Sequence, residues 1–125
     1  RHSVLEEDFA VVTGGVLQLE AGQKDEIRDK MQKLMDKRKT SQPLDKPSAG
    51  SAFKRPVGGY AAALIDQAGL KGFQIGGAAV SEKHAGFVVN MGGATAADVK
   101  QLLAQVAARV QEHSGIKIEP EVRIW

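Results

Sequence analysis

The chain has 125 residues, 42% hydrophobic and 26% charged, with a formal charge of +2 at pH 7 and no cysteine. Such a mixture describes one globular domain with a modest core, or a piece of a larger protein, and excludes a disordered chain. The absence of cysteine excludes a disulfide framework, a thiolate zinc site and a cysteine nucleophile.

The cations are interspersed with Asp and Glu, and aromatic residues are few, which argues against a nucleic-acid partner. No apolar run approaches the roughly 20 residues that span a bilayer, so no membrane segment is expected. His2, His84 and His113 are far apart and show no metal-ligand spacing, so no metal is expected. No basic and apolar leader opens the chain, and a cysteine-free composition fits the cytoplasm. Arg1-His2-Ser3 reads as the interior of a longer protein rather than a natural start.

In chain order, Phe9 to Leu19 carries Val11, Val12, Val16, Leu17 and Leu19, broken by Gly14-Gly15, and predicts a strand with a bulge or tight turn. From Lys24 to Lys39 the apolar residues Ile27, Met31, Leu34 and Met35 fall on one stripe of an amphipathic helix. Asp25 and Glu26 open this helix and Lys37, Arg38 and Lys39 close it, as the helix dipole favours. Thr40 to Pro47, with prolines at 43 and 47, is a linker and a candidate domain boundary. One strand and one helix cannot form a core, so the segment before the linker is assigned to another domain.

Pro47 to Pro56 has no helical or strand period, and presents Ser51 followed by Lys54 and Arg55. Tyr60 to Ala68 predicts a short helix stopped by Gly69. Phe73–Ile75 and Ala78–Ser81 predict two short strands, or one kinked strand, about Gly76-Gly77, and Phe87–Asn90 a further strand closed by Gly92-Gly93. Thr95 opens the clearest helix, with Asp98 completing a capping-box pattern, apolar Val99, Leu102, Leu103, Val106 and Val110 following, and Gly115 ending it. In the last segment Ile116, Ile118, Val122 and Ile124 alternate with Lys117, Glu119, Glu121 and Arg123, which predicts a strand interrupted, or at a sheet edge, at Pro120.

Four features bear on chemistry. Ser51 reads as a turn residue or, beside Lys54 and Arg55, as a hydroxyl near a bound anion; no Gly-x-Ser-x-Gly elbow makes it a hydrolase nucleophile. Glu121, with Arg123 on the same strand face, is either solvated or a positioned acid, and the pattern alone does not decide. Gly72 to Gly77 lacks the spacing of a phosphate-binding fingerprint and reads as a turn, with Lys71 beside it able to meet a phosphate. His84 lies in a polar turn before a strand.

Five segments in order carry a resemblance: Ser48-Ala49-Gly50-Ser51-Ala52-Phe53-Lys54-Arg55-Pro56, Leu64 to Gly72, Ile75-Gly76-Gly77-Ala78, Val80 to Ala85, and Glu119-Pro120-Glu121-Val122-Arg123-Ile124. Together they closely resemble the C-terminal portion of the UDP-N-acetylenolpyruvoylglucosamine reductase (UDP-N-acetylmuramate dehydrogenase) family, in its shorter subtype without a long insertion after Pro56. Arg1-His2-Ser3 and the Arg38 to Pro43 linker extend the resemblance over essentially the whole chain.

The resemblance implies a flavoenzyme of peptidoglycan precursor synthesis, in which NADPH reduces FAD and the flavin passes hydride to the enolpyruvyl group of the UDP-sugar. It implies Ser51 as proton donor and Glu121 as the acid that stabilises or protonates the enol. It points to Lys54, Arg55, Lys71, His84, Arg123 and Arg38 at the substrate, Arg55 standing where the family often has Asn. The family's third catalytic residue, an arginine of the flavin domain, has no counterpart here.

The expectation is therefore an α+β fold of short, mostly antiparallel strands with helices on one side. Residues 1–46 are read as the end of an FAD-binding domain plus linker, and residues 47–125 as the substrate-binding domain. FAD is not expected to be held by this chain alone, and the isolated chain is expected to be inactive. The alternative is a sugar-nucleotide binding module without catalysis; a generic regulatory α+β domain is a further rival.

Overall fold

The structure, a computed structural model, describes residues 11–124. Phe9, at the head of the expected opening strand, lies outside the described residues, as do Arg1-His2-Ser3 and Trp125. The elements are α1 (Lys24–Ser41), β1 (Ser48–Ser51), α2 (Ala61–Gln67), β2 (Gln74–Ile75), β3 (Ala78–Val80), β4 (Phe87–Asn90) and α3 (Ala96–Ser114). The four strands form one sheet in the order β1-β4-β3-β2, every pair antiparallel. The α+β architecture read from the sequence is the one that forms.

The core lies between this sheet and the two later helices. Leu102, Leu103, Val106 and Val110 of α3 and Leu64 and Ile65 of α2 pack in one cluster with Ala78 and Val80 of β3, Phe53, Leu70 and Ile118. Each such aliphatic side chain contributes about 1.5–3 kcal/mol on burial, which makes this face the main source of stability. The register pairs Ala79 with Val89 and Val80 with Val88. Strand alternation therefore turns Ala79, Phe87 and Val89 to the other face, where they are also buried but stand outside that cluster.

α3 starts and stops as its sequence dictates. The Thr95 hydroxyl accepts from Asp98 N at 3.1 Å, and Asp98 Oδ2 accepts from Thr95 N at 2.9 Å, a complete capping box. Gly115 closes the helix in the left-handed conformation, with φ 72°, and its amide reaches Gln111 O at 2.8 Å.

The same Asp98 carboxylate reaches across to the β2–β3 turn, where it accepts from Gly77 N at 3.4 Å. Gly76 and Gly77 form that two-residue turn, since Ile75 pairs with Ala78. A Cβ on Gly76 would run into the Asp98 carboxylate, and one on Gly77 would lie 2.5 Å from Ala94 N and 2.6 Å from Gly92 O. The glycine pair is thus a tight turn seated on the start of α3, and the space a phosphate would need is filled.

Three expectations are corrected. Val11 to Leu19 form no strand and are exposed throughout, Val16 to 99%. Among the described residues no strand comes alongside them, and a lone extended segment buries no surface to offset its ordering. The Ser51 segment, read as irregular, contains β1. The last segment makes no strand: its one ladder contact is an antiparallel bridge between Phe53 and Pro120. Its apolar alternation still shows in burial, with Ile118 buried, Ile116 and Val122 half-buried, and Lys117, Glu119 and Glu121 exposed.

The helix predicted to Lys39 runs two residues further. Ser41 Oγ and Thr40 Oγ1 both donate to Lys37 O, and Gln42 N donates to Arg38 O, which close its last turn. Its stripe of Ile27, Met31, Leu34 and Met35 is exposed, and α1 buries no residue. The end of α1 meets the remainder through Lys83 Nζ, which donates to Lys39 O at 2.7 Å.

Two outcomes test this description. Gly77→Ala loses about 1–3 kcal/mol in urea unfolding, because backbone atoms on both sides block the added methyl. Gly14→Ala, with open space around it, changes stability by less than about 0.5 kcal/mol. The bonds from Thr95 and Gly77 hold the Asp98 carboxyl below its ordinary 3.8. A depressed folded pKa stabilises the fold fully above the unfolded value and progressively less as pH falls through the folded one. The stability gap between the natural protein and Asp98→Asn is therefore widest above about pH 4 and shrinks below it in pH-dependent urea melts.

Candidate functional site

β1 reaches Ser51 through a bulge. Ser48 pairs with Val89 and Ser51 with Phe87, so β1 carries one residue more than β4 between these pairs. Gly50 lies there with φ 89°, a backbone state that only glycine adopts without strain, and its amide bonds to Ser48 Oγ at 3.1 Å. A bulge of this kind re-aims the residue that follows it. Ser51 emerges exposed, directly before Ala52 and Phe53, which are 2% and 5% exposed and anchor the chain in the core.

Ala52 is held from two sides. Its amide donates to Gly86 O at 2.8 Å, and its carbonyl accepts from Glu121 N at 2.9 Å. One step on, Lys54 N donates to Glu119 O at 2.8 Å. These bonds flank the Phe53–Pro120 bridge and bring the C-terminal segment alongside the end of β1. Pro120 is tolerated because, in this bridge, the neighbouring residues carry the hydrogen bonds and its missing N–H is not called on.

The bridge sets Glu121 opposite Ala52 and Glu119 opposite Lys54, so the main-chain segments that carry Ser51, Lys54 and Glu121 form one paired strip. The Ser51 hydroxyl and the Glu121 carboxylate have no hydrogen-bond or ion-pair partner among the described residues. Lys54 Nζ lies 4.0 Å from Glu119 Oε2, and both side chains are well exposed, so the pair adds little to stability. Glu119 as the counter-ion of Lys54 is not readable from the sequence, since only the bridge makes them neighbours.

His84 belongs to the same region. Its Nδ1 accepts from Gly86 N at 3.1 Å, and its ring meets that of Phe87 edge-on at 4.9 Å. Phe87 is the residue opposite Ser51, and Gly86 O holds Ala52. With Nδ1 accepting, Nε2 is left as the ring's other polar atom.

The other candidates are placed differently. Lys71 Nζ bonds Asp66 Oδ2 at 2.8 Å, next to α2, so its charge is already countered. Arg55 lies over the Tyr60 ring, 4.0 Å from its centroid. Arg38 sits at the end of α1 and bonds Gln42 Oε1 at 3.4 Å. Arg123 is exposed on the segment beyond Glu121. No described contact joins Lys71 or Arg38 to the Ser51 strip. Among the described residues no group of His, Asp and Glu is arranged to hold a metal, and no helix is long and apolar enough to cross a membrane.

Two hollows are described. One, of about 250 Å³, is apolar and lies between β1, β4 and α3, lined by Pro47, Ala49, Val88, Leu103 and Val122. The other follows the exposed stripe of α1.

Residues 42–125 match the family model described as UDP-N-acetylenolpyruvoylglucosamine reductase, C-terminal domain. The chain is 50% identical over 124 residues to the UDP-N-acetylenolpyruvoylglucosamine reductases of Caldanaerobacter subterraneus subsp. tengcongensis and Clostridium perfringens, covering 99% of this chain and 41% of each relative. The fold superposes on the crystal structure of UDP-N-acetylenolpyruvylglucosamine reductase from Thermus caldophilus with a TM-score of 0.69 and 42% identity, over 86% of this chain and 38% of that one. The chain thus spans about two fifths of the length of these relatives. By the family model and by these identities, it belongs to the UDP-N-acetylenolpyruvoylglucosamine reductase family and carries that family's C-terminal domain.

Proposed function

We propose that this chain is the substrate-binding part of a flavoenzyme that reduces UDP-N-acetylglucosamine enolpyruvate to UDP-N-acetylmuramate with NADPH, in the cytoplasmic synthesis of peptidoglycan precursors. The observation that supports the reading is the bridged strip, in which two main-chain bonds bring the segment carrying Glu121 alongside the one carrying Ser51. Family membership supplies the substrate class.

The residues described here do not fit FAD: the glycine turn is filled by Asp98 and the start of α3, and one hollow is a small apolar space. The flavin is assigned to the portion of the relatives that this chain does not span, where it would supply hydride chemistry to the enolpyruvyl group held by this chain. Residues 1–46 are assigned to the end of that flavin domain, with the substrate domain beginning at Pro47. The exposed stripe of α1 supports this division, because an amphipathic helix that buries nothing on its own chain is made to pack elsewhere.

Addition across the double bond needs a proton on the second carbon, and Ser51 is assigned as its donor. A serine hydroxyl is a weak acid and donates only where the charge left on it is stabilised. Lys54 is the nearest cation in sequence, and the main-chain bond of its amide fixes its base in the strip. Glu121 is assigned to the carboxyl end of the enol intermediate, where a positioned acid lowers the energy of the developing charge. Arg55, Lys71, His84, Arg123 and Arg38 are assigned to the substrate's anionic groups and their surroundings.

In the longer protein, Ser51→Ala leaves reduction of the flavin by NADPH intact. It slows reoxidation by the enolpyruvyl sugar nucleotide by about 10²–10⁴-fold, the range of a general acid. Stopped-flow flavin absorbance separates the two half-reactions, and undiminished reoxidation removes Ser51 from the mechanism. The 125-residue chain by itself gives no NADPH-dependent turnover.

A further inference from the structure

Tyr60 is the chain's single tyrosine, and it is 62% exposed although its main chain is fixed. Its carbonyl accepts from Ala63 N at 3.0 Å and Leu64 N at 3.2 Å where α2 begins. The Arg55 guanidinium lies 4.0 Å over the ring, so one face is covered and the exposure belongs to the other. Among the described residues Arg55 has no carboxylate partner, whereas Lys54 has Glu119 and Lys71 has Asp66.

A ring with one open face, held beside a cation without a counter-ion, suits a ligand that is itself a ring joined to an anion. Bases stack on aromatic rings irrespective of hydrogen-bond pattern, and a guanidinium takes two phosphate oxygens in its planar fork. The pair also stands in the right part of the chain. Arg55 follows directly on Lys54, whose amide is bonded in the bridge that pairs the segments carrying Ser51 and Glu121.

We propose that Tyr60 stacks the pyrimidine ring of a uracil nucleotide on its open face, while Arg55 binds an oxygen of the attached diphosphate. This rests on the sugar-nucleotide reading above and adds to it a residue that recognises the base. Arg55 then has two roles, holding the Tyr60 ring in place and meeting the phosphates.

The test titrates UDP, uridine and inorganic pyrophosphate into the 125-residue chain. Calorimetry gives affinities, and the ring protons of the one tyrosine report stacking. UDP shifts those protons upfield and pyrophosphate leaves them in place. Tyr60→Ala weakens UDP binding by about 5- to 150-fold without changing the affinity for pyrophosphate, and Tyr60→Phe retains UDP binding.

A merely structural tyrosine gives another pattern, in which Tyr60→Ala weakens UDP and pyrophosphate together, and that result overturns the proposal. Equal UDP affinity in Tyr60→Ala and the natural chain overturns it too, as does a chain that binds no UDP. The enzymatic reading is tested separately by flavin reoxidation in the longer protein. UDP binding indifferent to Tyr60, with reoxidation intact, removes the stack alone; a working stack without reoxidation removes the reductase reading alone.

Discussion

The short antiparallel contact between Phe53 and Pro120 is the constraint on which the candidate site depends. Phe53 is fixed by burial, and the amides of Lys54 and Glu121 are each spent on a carbonyl of the opposing segment. Beyond these bonds, the C-terminal segment is tied in by the exposed Lys54–Glu119 ion pair and by the apolar contacts of Ile116 and Ile118 with the core. Two net main-chain bonds are worth only about 1–3 kcal/mol together, so the bridge positions more than it stabilises. The packing of α2 and α3 on the sheet supplies the stability, and the bridge uses it to hold two otherwise distant segments alongside one another.

The sequence was most informative where a local rule and a tertiary need coincide. Thr95, Asp98 and Gly115 announce α3 because capping is a local transaction between a side chain and the nearest amides. The alternation of Ile116, Ile118 and Val122 correctly reports which side faces the core, yet no full strand forms. Period records burial; strand formation also needs a partner along its length, and β1 offers one only at Phe53. The Val11 to Leu19 segment fails for the same reason. The bulge at Gly50 was hidden because its cause is the register between β1 and β4, which no window of residues contains.

The candidate site was legible as a set of residue types rather than as an arrangement. The residue pattern singles out Ser51 and Glu121, the resemblance gives them roles, and the pairing of their segments is visible only with the bridge. Charge was misleading taken residue by residue: Lys71 looks free in the sequence but is matched by Asp66 five residues earlier, and Lys54 is matched by Glu119 from the other end of the domain. Asp98 was read simply as a cap. Its second bond, to Gly77, makes it the joint between α3 and the β2–β3 turn, and its carboxylate is what a side chain at position 76 would strike, while Gly92 O and Ala94 N close off position 77.

Pro120 has a consequence for the outer edge of the molecule. In its bridge the neighbouring residues face Phe53, so the main-chain atoms of residue 120 point away from it, toward what an added strand would meet. At that position any other residue would offer an N–H to a passing extended chain. Proline offers a ring and no donor, which discourages recruitment of a foreign strand and the edge-to-edge growth that begins aggregation. The residue that joins the two halves of the strip thus also acts as a terminator, closing a short β contact to further addition.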